Sequence, residues 1–298
     1  MPADIVVASP GPFSLGEGCV WDGRLRRLYL IDINGRKIAW LDSDGTTTVR
    51  DLDGTPGTVV LTTDPDQLVL ALDTGLAVYE LSTGAVRLMA PYPEGPDTRF
   101  NDGKCDPAGR LWVGTMSREG AHGAGTLYRF RPGGQADPQV PGVTVSNGLC
   151  WSRDGLTMFY IDSATREVHA FDFEPTSGTL SGRRTVVTIP PDRGYPDGMT
   201  IDSEDRLWVA HWLGSCVACY DPVHGGTVAV VEVPTPRVTS CCFGGDDLRT
   251  LFITTAIGSP DGGWTDVSAY PGTGAVFAVC PGAVGMPTFP FRGLTGPA

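Results

Sequence analysis

One pattern recurs six times along this chain and restricts its fold more than any other feature. Each copy has a turn rich in Asp and Gly, a short strand such as Leu-Trp-Val or Leu-Phe-Ile, a Gly-containing turn, and a further strand ending near Asp or Pro-Gly. The copies include WDGRLRRLYLIDINGRKIAWLDSDG, DPDQLVLALDTGLAVYELSTG, DPAGRLWVGTMSREGAHGAGTLYRFRPGG, SRDGLTMFYIDSATREVHAFDFEPTSG, DSEDRLWVAHWLGSCVACYDPVHGG and DDLRTLFITTAIG with GAVFAVCPG. Aligned on Leu28, Val69, Leu111, Met158, Leu207 and Leu251, they repeat every roughly 40 to 50 residues, the length of a four-stranded propeller blade. That spacing is too long for a leucine-rich solenoid. The segments are short, β-branched and aromatic, and apolar residues keep no helical period beyond a turn or two. The 40 Gly and 25 Pro fit many tight turns better than long helices. The expected fold is therefore all-β: a single six-bladed β-propeller domain over 1–298.

The sixth copy is short of strands, whereas DIVVAS near the N-terminus has no blade of its own. Pairing the two would close the ring and remove an exposed sheet edge. The Gly/Pro-rich tail from Pro281 to Ala298 is expected to pack across one face without regular structure. A formal net charge of −12 argues against nucleic-acid backbones and anionic membranes as partners. No stretch approaches the roughly 20 apolar residues of a membrane span, and the N-terminus lacks a secretion-signal pattern, so a cytoplasmic protein is expected. The eight cysteines are expected as reduced, mostly buried thiols, because a chain this long can bury its own core. Cys216 and Cys219 form a C-x-x-C, but on a strand their side chains would face opposite ways, which fits core packing better than zinc binding.

The segments preceding the anchors should form the innermost strands, beside the central channel. They read EGCVWD from Glu17, DGKCDP from Asp102, NGLCWS from Asn147, DGMTID from Asp197 and SCCFGG from Ser240. The second copy departs, offering Thr58 and valines. Any single Asp-Gly or Asn-Gly pair is an ordinary turn signal. Their shared register is what distinguishes them, because equivalent residues of a propeller converge on one axis. Carboxylates gathered there would repel one another and take up protons unless a cation compensated them. Glu17, Asn147 and Asp197 make an all-oxygen set suited to Ca²⁺, Mg²⁺ or Mn²⁺ and able to accept Zn²⁺ or Fe²⁺. Three protein ligands leave coordination positions open, as in a catalytic site.

Four segments carry a resemblance to a known family: LGEGCVWD, RFNDGKCDPAGRLWVGTM, SNGLCWSRDG and YPDGMTIDSEDRLWVA, in order and suitably separated. The chain resembles the gluconolactonase, regucalcin (senescence marker protein) and luciferin-regenerating-enzyme group of six-bladed propellers. The resemblance implies that Glu17, Asn147 and Asp197 hold one divalent metal ion, and that Arg99, Asn101 and Glu119 contact substrate. It also implies hydrolysis of a small sugar lactone to the open-chain acid, with Asp197 as the usual suggestion for general base. A carboxylate beside a dication is a weak base, however, and Asp102 could instead orient the water or support the ligands. His211 could line the pocket with Trp212 or be a satisfied, half-buried histidine. The alternative function is a calcium-binding regulator without turnover. There is no G-x-S-x-G elbow for a serine hydrolase. Substrate choice is expected from loops 92–98, 117–125 and 257–268, and oligomeric state leaves no trace in the sequence.

Overall fold

The computed structural model describes residues 4–131, 133–258 and 270–293. They form six four-stranded antiparallel sheets. Five sheets use consecutive strands, beginning at Gly16–Asp22, Pro56–Leu61, Thr98–Cys105, Ser146–Trp151 and Tyr195–Ile201. The sixth combines Val238–Gly244, Thr250–Thr255 and Val276–Val279 with the N-terminal strand Val6–Ser9. Pairing of Val6 with Ala278, Val7 with Phe277 and Ser9 with Val276 closes the ring as the sequence predicts. Without that strand, Val276–Val279 would present a free ladder edge.

The first strand of every blade packs against the first strands of both neighbours, so these six strands make the channel wall. Their burial explains their composition. Gly16–Asp22, Pro56–Leu61, Ser146–Trp151 and Val238–Gly244 are buried at every position, whereas the outer strands Thr47–Asp51 and Thr227–Glu232 are largely exposed. The apolar core lies between blades rather than in one central mass: Tyr29, Trp40, Leu70 and Tyr79 pack where the first blade meets the second. Trp208, Val217, Phe243 and Phe277 do so between the fifth and sixth.

A clamp on the face opposite the site accounts for the repeated Asp…Arg-Leu-Trp signature. Asp106 Oδ2 accepts from Trp112 Nε1 at 2.9 Å and from Arg110 Nε at 2.6 Å. Asp202 Oδ2 does the same with Trp208 Nε1 at 3.0 Å and Arg206 Nε at 2.8 Å. The described part of the tail crosses this face without a named strand. Its hydrogen bonds run from Ser203 N to Val284 O at 2.8 Å and from Phe291 N to Leu61 O at 2.7 Å. Residues 294–298 lie outside the described residues.

Seven of the eight thiols are buried, all eight are free, and Cys280 alone is exposed. Cys216 and Cys219 are both buried on the strand Cys216–Tyr220. Among the described residues no helix is long and apolar enough to cross a membrane.

Removing residues 1–9 should weaken the ring by about 1–3 kcal/mol, the range for losing a modest set of native contacts. It should also expose the Val276–Val279 edge. A lower thermal midpoint with concentration-dependent association in size-exclusion chromatography is the expected result; an unchanged midpoint would show that the closing strand contributes little.

Candidate metal and substrate site in the channel

Every innermost strand is irregular at the level of the polar column. Ladder register shifts fall between Glu17 and Val20, Pro56 and Thr58, Phe100 and Gly103, Ser146 and Leu149, Pro196 and Met199, and Val238 and Ser240. Bulges re-aim the side chains they contain. Here the device recurs in each blade.

Pairing also corrects the alignment read from sequence. Asn101, Asn147 and Asp197 directly follow the last ladder pairs before the bulge, Phe100–Thr115, Ser146–Asp162 and Pro196–His211. In the first blade Glu17 follows the pair Gly16–Asp32 and is itself paired with Ile31, while Gly57 and Thr239 follow Pro56–Leu72 and Val238–Thr255. Asp102 and Ser240 therefore stand one residue beyond the level to which the sequence assigns them. Gly57 explains why the second blade offers no ligand there.

Backbone packing requires the glycines. A Cβ on Gly198 would lie 2.4 Å from Ser240 Oγ, and one on Gly148 would lie 2.6 Å from Met199 Cβ and 2.7 Å from Asp197 O. Gly18 has φ +57°, in the left-handed region. Close approach of neighbouring inner strands is what gathers Glu17, Asn147 and Asp197, which are remote in sequence.

The loops ahead of two of these residues are fixed by aspartates of the adjacent strand. Asp32 accepts from Ser14 N at 2.8 Å and Leu15 N at 2.9 Å, ahead of Glu17. Asp162 accepts from Thr144 N and Val145 N, both at 3.0 Å, ahead of Asn147. The Asn147 amide is further oriented by Nδ2 donating to Ser163 Oγ at 2.9 Å. That bond leaves its carbonyl oxygen for the channel.

The electrostatics of the site are unfavourable as it stands. Glu17 and Asp197 are buried, and both carboxyl groups are raised well above their ordinary range, first by desolvation. For Glu17 the charges of Asp197 and Asp102 add to the effect; for Asp197 the principal added charge is Asp102. Asp102 is raised by burial and relieved in part by the Lys104 ammonium. Lys104 Nζ also donates to Met199 O.

Among the described residues, the buried atoms Asn147 Oδ1, Asp197 Oδ1 and Asp102 Oδ2 have no hydrogen-bond partner. Orphaned acceptors beside mutually repelling carboxylates are what a cation site looks like without its cation. The donor set therefore fits a hard divalent ion. Among the described residues no three His, Cys, Asp or Glu side chains are grouped to hold a metal, so the candidate set depends on the Asn147 amide.

Arg99 reaches toward the same carboxylates from a half-buried position. Its Nη1 donates to Phe100 O at 2.9 Å and Asn101 Oδ1 at 2.7 Å. Burial, opposed by the Glu17 and Asp197 charges, lowers its guanidinium to about 10. Asn101 Nδ2 donates to Ser146 O at 2.7 Å, which makes Asn101 a brace between two inner strands as well as the holder of Arg99.

Glu119 is exposed on the loop after Ser117, its N–H donating to Ser117 Oγ at 3.1 Å. His211 is spent inside the protein: Nδ1 lies 2.7 Å from Arg193 O, and Nε2 lies 3.0 Å from the Tyr220 hydroxyl. Desolvation lowers it, so it sits as a neutral ring donating through Nδ1–H and accepting at Nε2. It pins the turn ahead of Tyr195–Ile201 rather than reaching the channel. Below the site, a cavity of about 80 Å³ is lined in part by Cys19, Lys104, Ser240 and Cys242 and closed by Met286–Phe289. Lys104 lies within DGKC, where its reach to Met199 O carries no sequence signal, and neither does Ser163, which orients Asn147.

Fold and site together define a class: six-bladed propellers whose channel carries an oxygen-rich polar centre. Residues 15–257 match the family described as SMP-30/Gluconolactonase/LRE-like region, and the chain belongs to that family. It is 37% identical to regucalcin of Gallus gallus over 288 residues, covering 94% of this chain and 96% of that protein. It is 35% identical over 254 residues to the candidate sugar lactone lactonase YvrE of Bacillus subtilis (strain 168), covering 85% and 87%. The crystal structure of a calcium-binding protein, regucalcin from Agrobacterium tumefaciens str. C58, superposes with a TM-score of 0.90 at 27% identity, covering 98% of this chain and 97% of that one.

The raised carboxyl groups set a pH test. A carboxyl held above its unfolded value binds more protons in the folded state. Stability of the metal-free protein therefore falls as pH rises from about 4, the ordinary carboxylate range, through the folded values. With chelator present, the thermal midpoint should decline toward pH 8, and added Ca²⁺ should restore it more at pH 8 than at pH 5. Glu17→Gln should raise the metal-free midpoint at pH 8 and remove most of the Ca²⁺ response. A Ca²⁺ response independent of both pH and Glu17 would contradict the assignment.

Proposed function

We propose that this protein hydrolyses a small sugar lactone to its open-chain acid, using a divalent ion held by Glu17, Asn147 and Asp197. The observation that carries this reading is the set of orphaned oxygens on Asn147 and Asp197 beside the raised carboxyl of Glu17. The family description, and the lactonase name of a relative 35% identical, support lactone chemistry. The calcium-binding description of the structural neighbour supports a divalent ion.

When bound, the ion would supply Lewis acidity and lower the pKa of a coordinated water. This chain's residues do the rest. Arg99, whose Nη1 is spent on Phe100 O and Asn101 Oδ1, contacts the substrate at the mouth through its remaining donors, and a planar guanidinium suits oxygen acceptors. The second Nδ2 hydrogen of Asn101 is available to an oxyanion as it forms. Glu119 contributes a further polar contact from the loop above.

The Asp197 carboxylate, through the oxygen not turned to the ion, takes the proton from the attacking water in step with attack, since a carboxylate beside a dication is too weak a base to act ahead of it. The proton then passes to the ring oxygen as the acyl C–O bond breaks. One water is consumed, and the new carboxylic acid ionises at neutral pH. Asp102, near enough for its charge to raise both ligand carboxyls, keeps the water's surroundings acceptor-rich.

Acid release from five- and six-carbon aldonolactones tests the reading, with chelator and with Ca²⁺, Mg²⁺, Mn²⁺, Zn²⁺ or Fe²⁺ added back. Metal-dependent turnover is expected, falling at least about 100-fold in Asp197→Asn, the scale of losing a general base. Metal binding with no lactone turnover above the uncatalysed rate would favour a calcium-binding regulator.

A further inference from the structure

The channel mouth carries a second arginine whose placement bears on which lactones fit. Arg118 follows the end of the strand Leu111–Ser117, whose last residue pairs with Thr98, the first residue of the inner strand bearing Arg99. Its Nε donates to Pro96 O and Thr98 O, each at 3.1 Å, laying the guanidinium over the segment that leads into Arg99. The two guanidinium groups are close enough for Arg118 to oppose protonation of Arg99.

Among the described residues, no partner is found for Nη1 of Arg118 or for Nε and Nη2 of Arg99. Arg118 Nη2 makes a long ion pair with Asp73 Oδ2 at 3.6 Å, longer than a hydrogen bond, while Asp73 Oδ1 holds Thr55 N at 3.0 Å. Glu94 is engaged elsewhere, accepting from Thr115 Oγ1 and from the Tyr128 hydroxyl at 3.0 Å each. Neither guanidinium pairs with it. Two guanidinium groups, with Nε and Nη2 of Arg99 and Nη1 of Arg118 as their remaining donors, are thus held on one wall in a protein of net charge −12. Arg99 extends from the ligand carboxylates outward, and Arg118 lies farther toward solvent.

Resting on the lactonase reading above, we propose that Arg99 and Arg118 together bind an anionic group on the substrate, distant from the lactone carbonyl. The preferred substrates are then lactones bearing a carboxylate or a phosphate rather than neutral aldonolactones. An anion bridging the pair offsets their repulsion and accepts charge-assisted hydrogen bonds from Nε and Nη2 of Arg99 and from Nη1 of Arg118. Steering by the exposed Arg118 also makes the preference sensitive to salt.

Values of kcat/KM should be compared for a neutral aldonolactone, the same ring carrying a terminal carboxylate, and the same ring carrying a terminal phosphate, at low and high ionic strength. Wild-type protein should favour at least one anionic lactone by about tenfold or more, with the carboxylate and phosphate arms distinguishing the two sources of charge. Arg118→Gln should bring the anionic-to-neutral ratio toward one, mainly through KM, whereas Arg118→Lys should retain part of the preference. Thermal midpoints of both variants check that they fold. Turnover of neutral lactones at rates equal to or above the anionic ones overturns the proposal and leaves the lactonase reading standing. So does a ratio unmoved by Arg118→Gln. Turnover of none of them overturns both.

Discussion

The arrangement of this channel follows from one electrostatic problem. Two carboxylates, Glu17 and Asp197, are buried from different blades with a third, Asp102, close enough to raise both. Desolvation and mutual repulsion make that grouping costly in the protein alone. The blades nevertheless hold it firmly, through bulged inner strands, glycines that admit backbone contact, and aspartates that fix the preceding loops. Structure maintained against its own electrostatics is a sign of function, because at neutral pH the repulsion is relieved by proton uptake or by a bound cation.

Much of this could be read from the chain. The blade count and the closing strand emerge from a repeat whose turn chemistry is local and therefore legible, and the same repeat singles out Glu17, Asn147 and Asp197 as candidate ligands. Strand register within the inner wall was less accessible. Those strands are buried on both faces, so the alternation that usually fixes register is missing, and the bulges insert residues that a gap-free alignment cannot place. A gap-free alignment therefore puts Asp102 and Ser240 at a level that Asn101 and Thr239 hold in the structure.

The roles of the supporting residues show a second limit. His211 sits close in sequence to the site, yet its partners Arg193 and Tyr220 make it a brace for a turn. Arg118 sits in an ordinary surface loop sequence, and only its contacts with Pro96 and Thr98 place it beside Arg99. Hydrogen bonds between loops of different length carry no sequence period. The Asp…Arg-Leu-Trp clamp is the opposite case, because all its members lie within one turn and one strand of the same blade and so recur visibly.

The direct test of the central claim is a calorimetric titration of chelator-treated protein with a divalent ion, in buffers of different ionisation enthalpy. Occupancy of a single site per chain, with protons released on binding and affinity lost when Asn147 is changed to Ala, is the predicted result. Absence of binding, or binding that ignores Asn147 and releases no protons, would contradict a cation as the partner of the buried carboxylates.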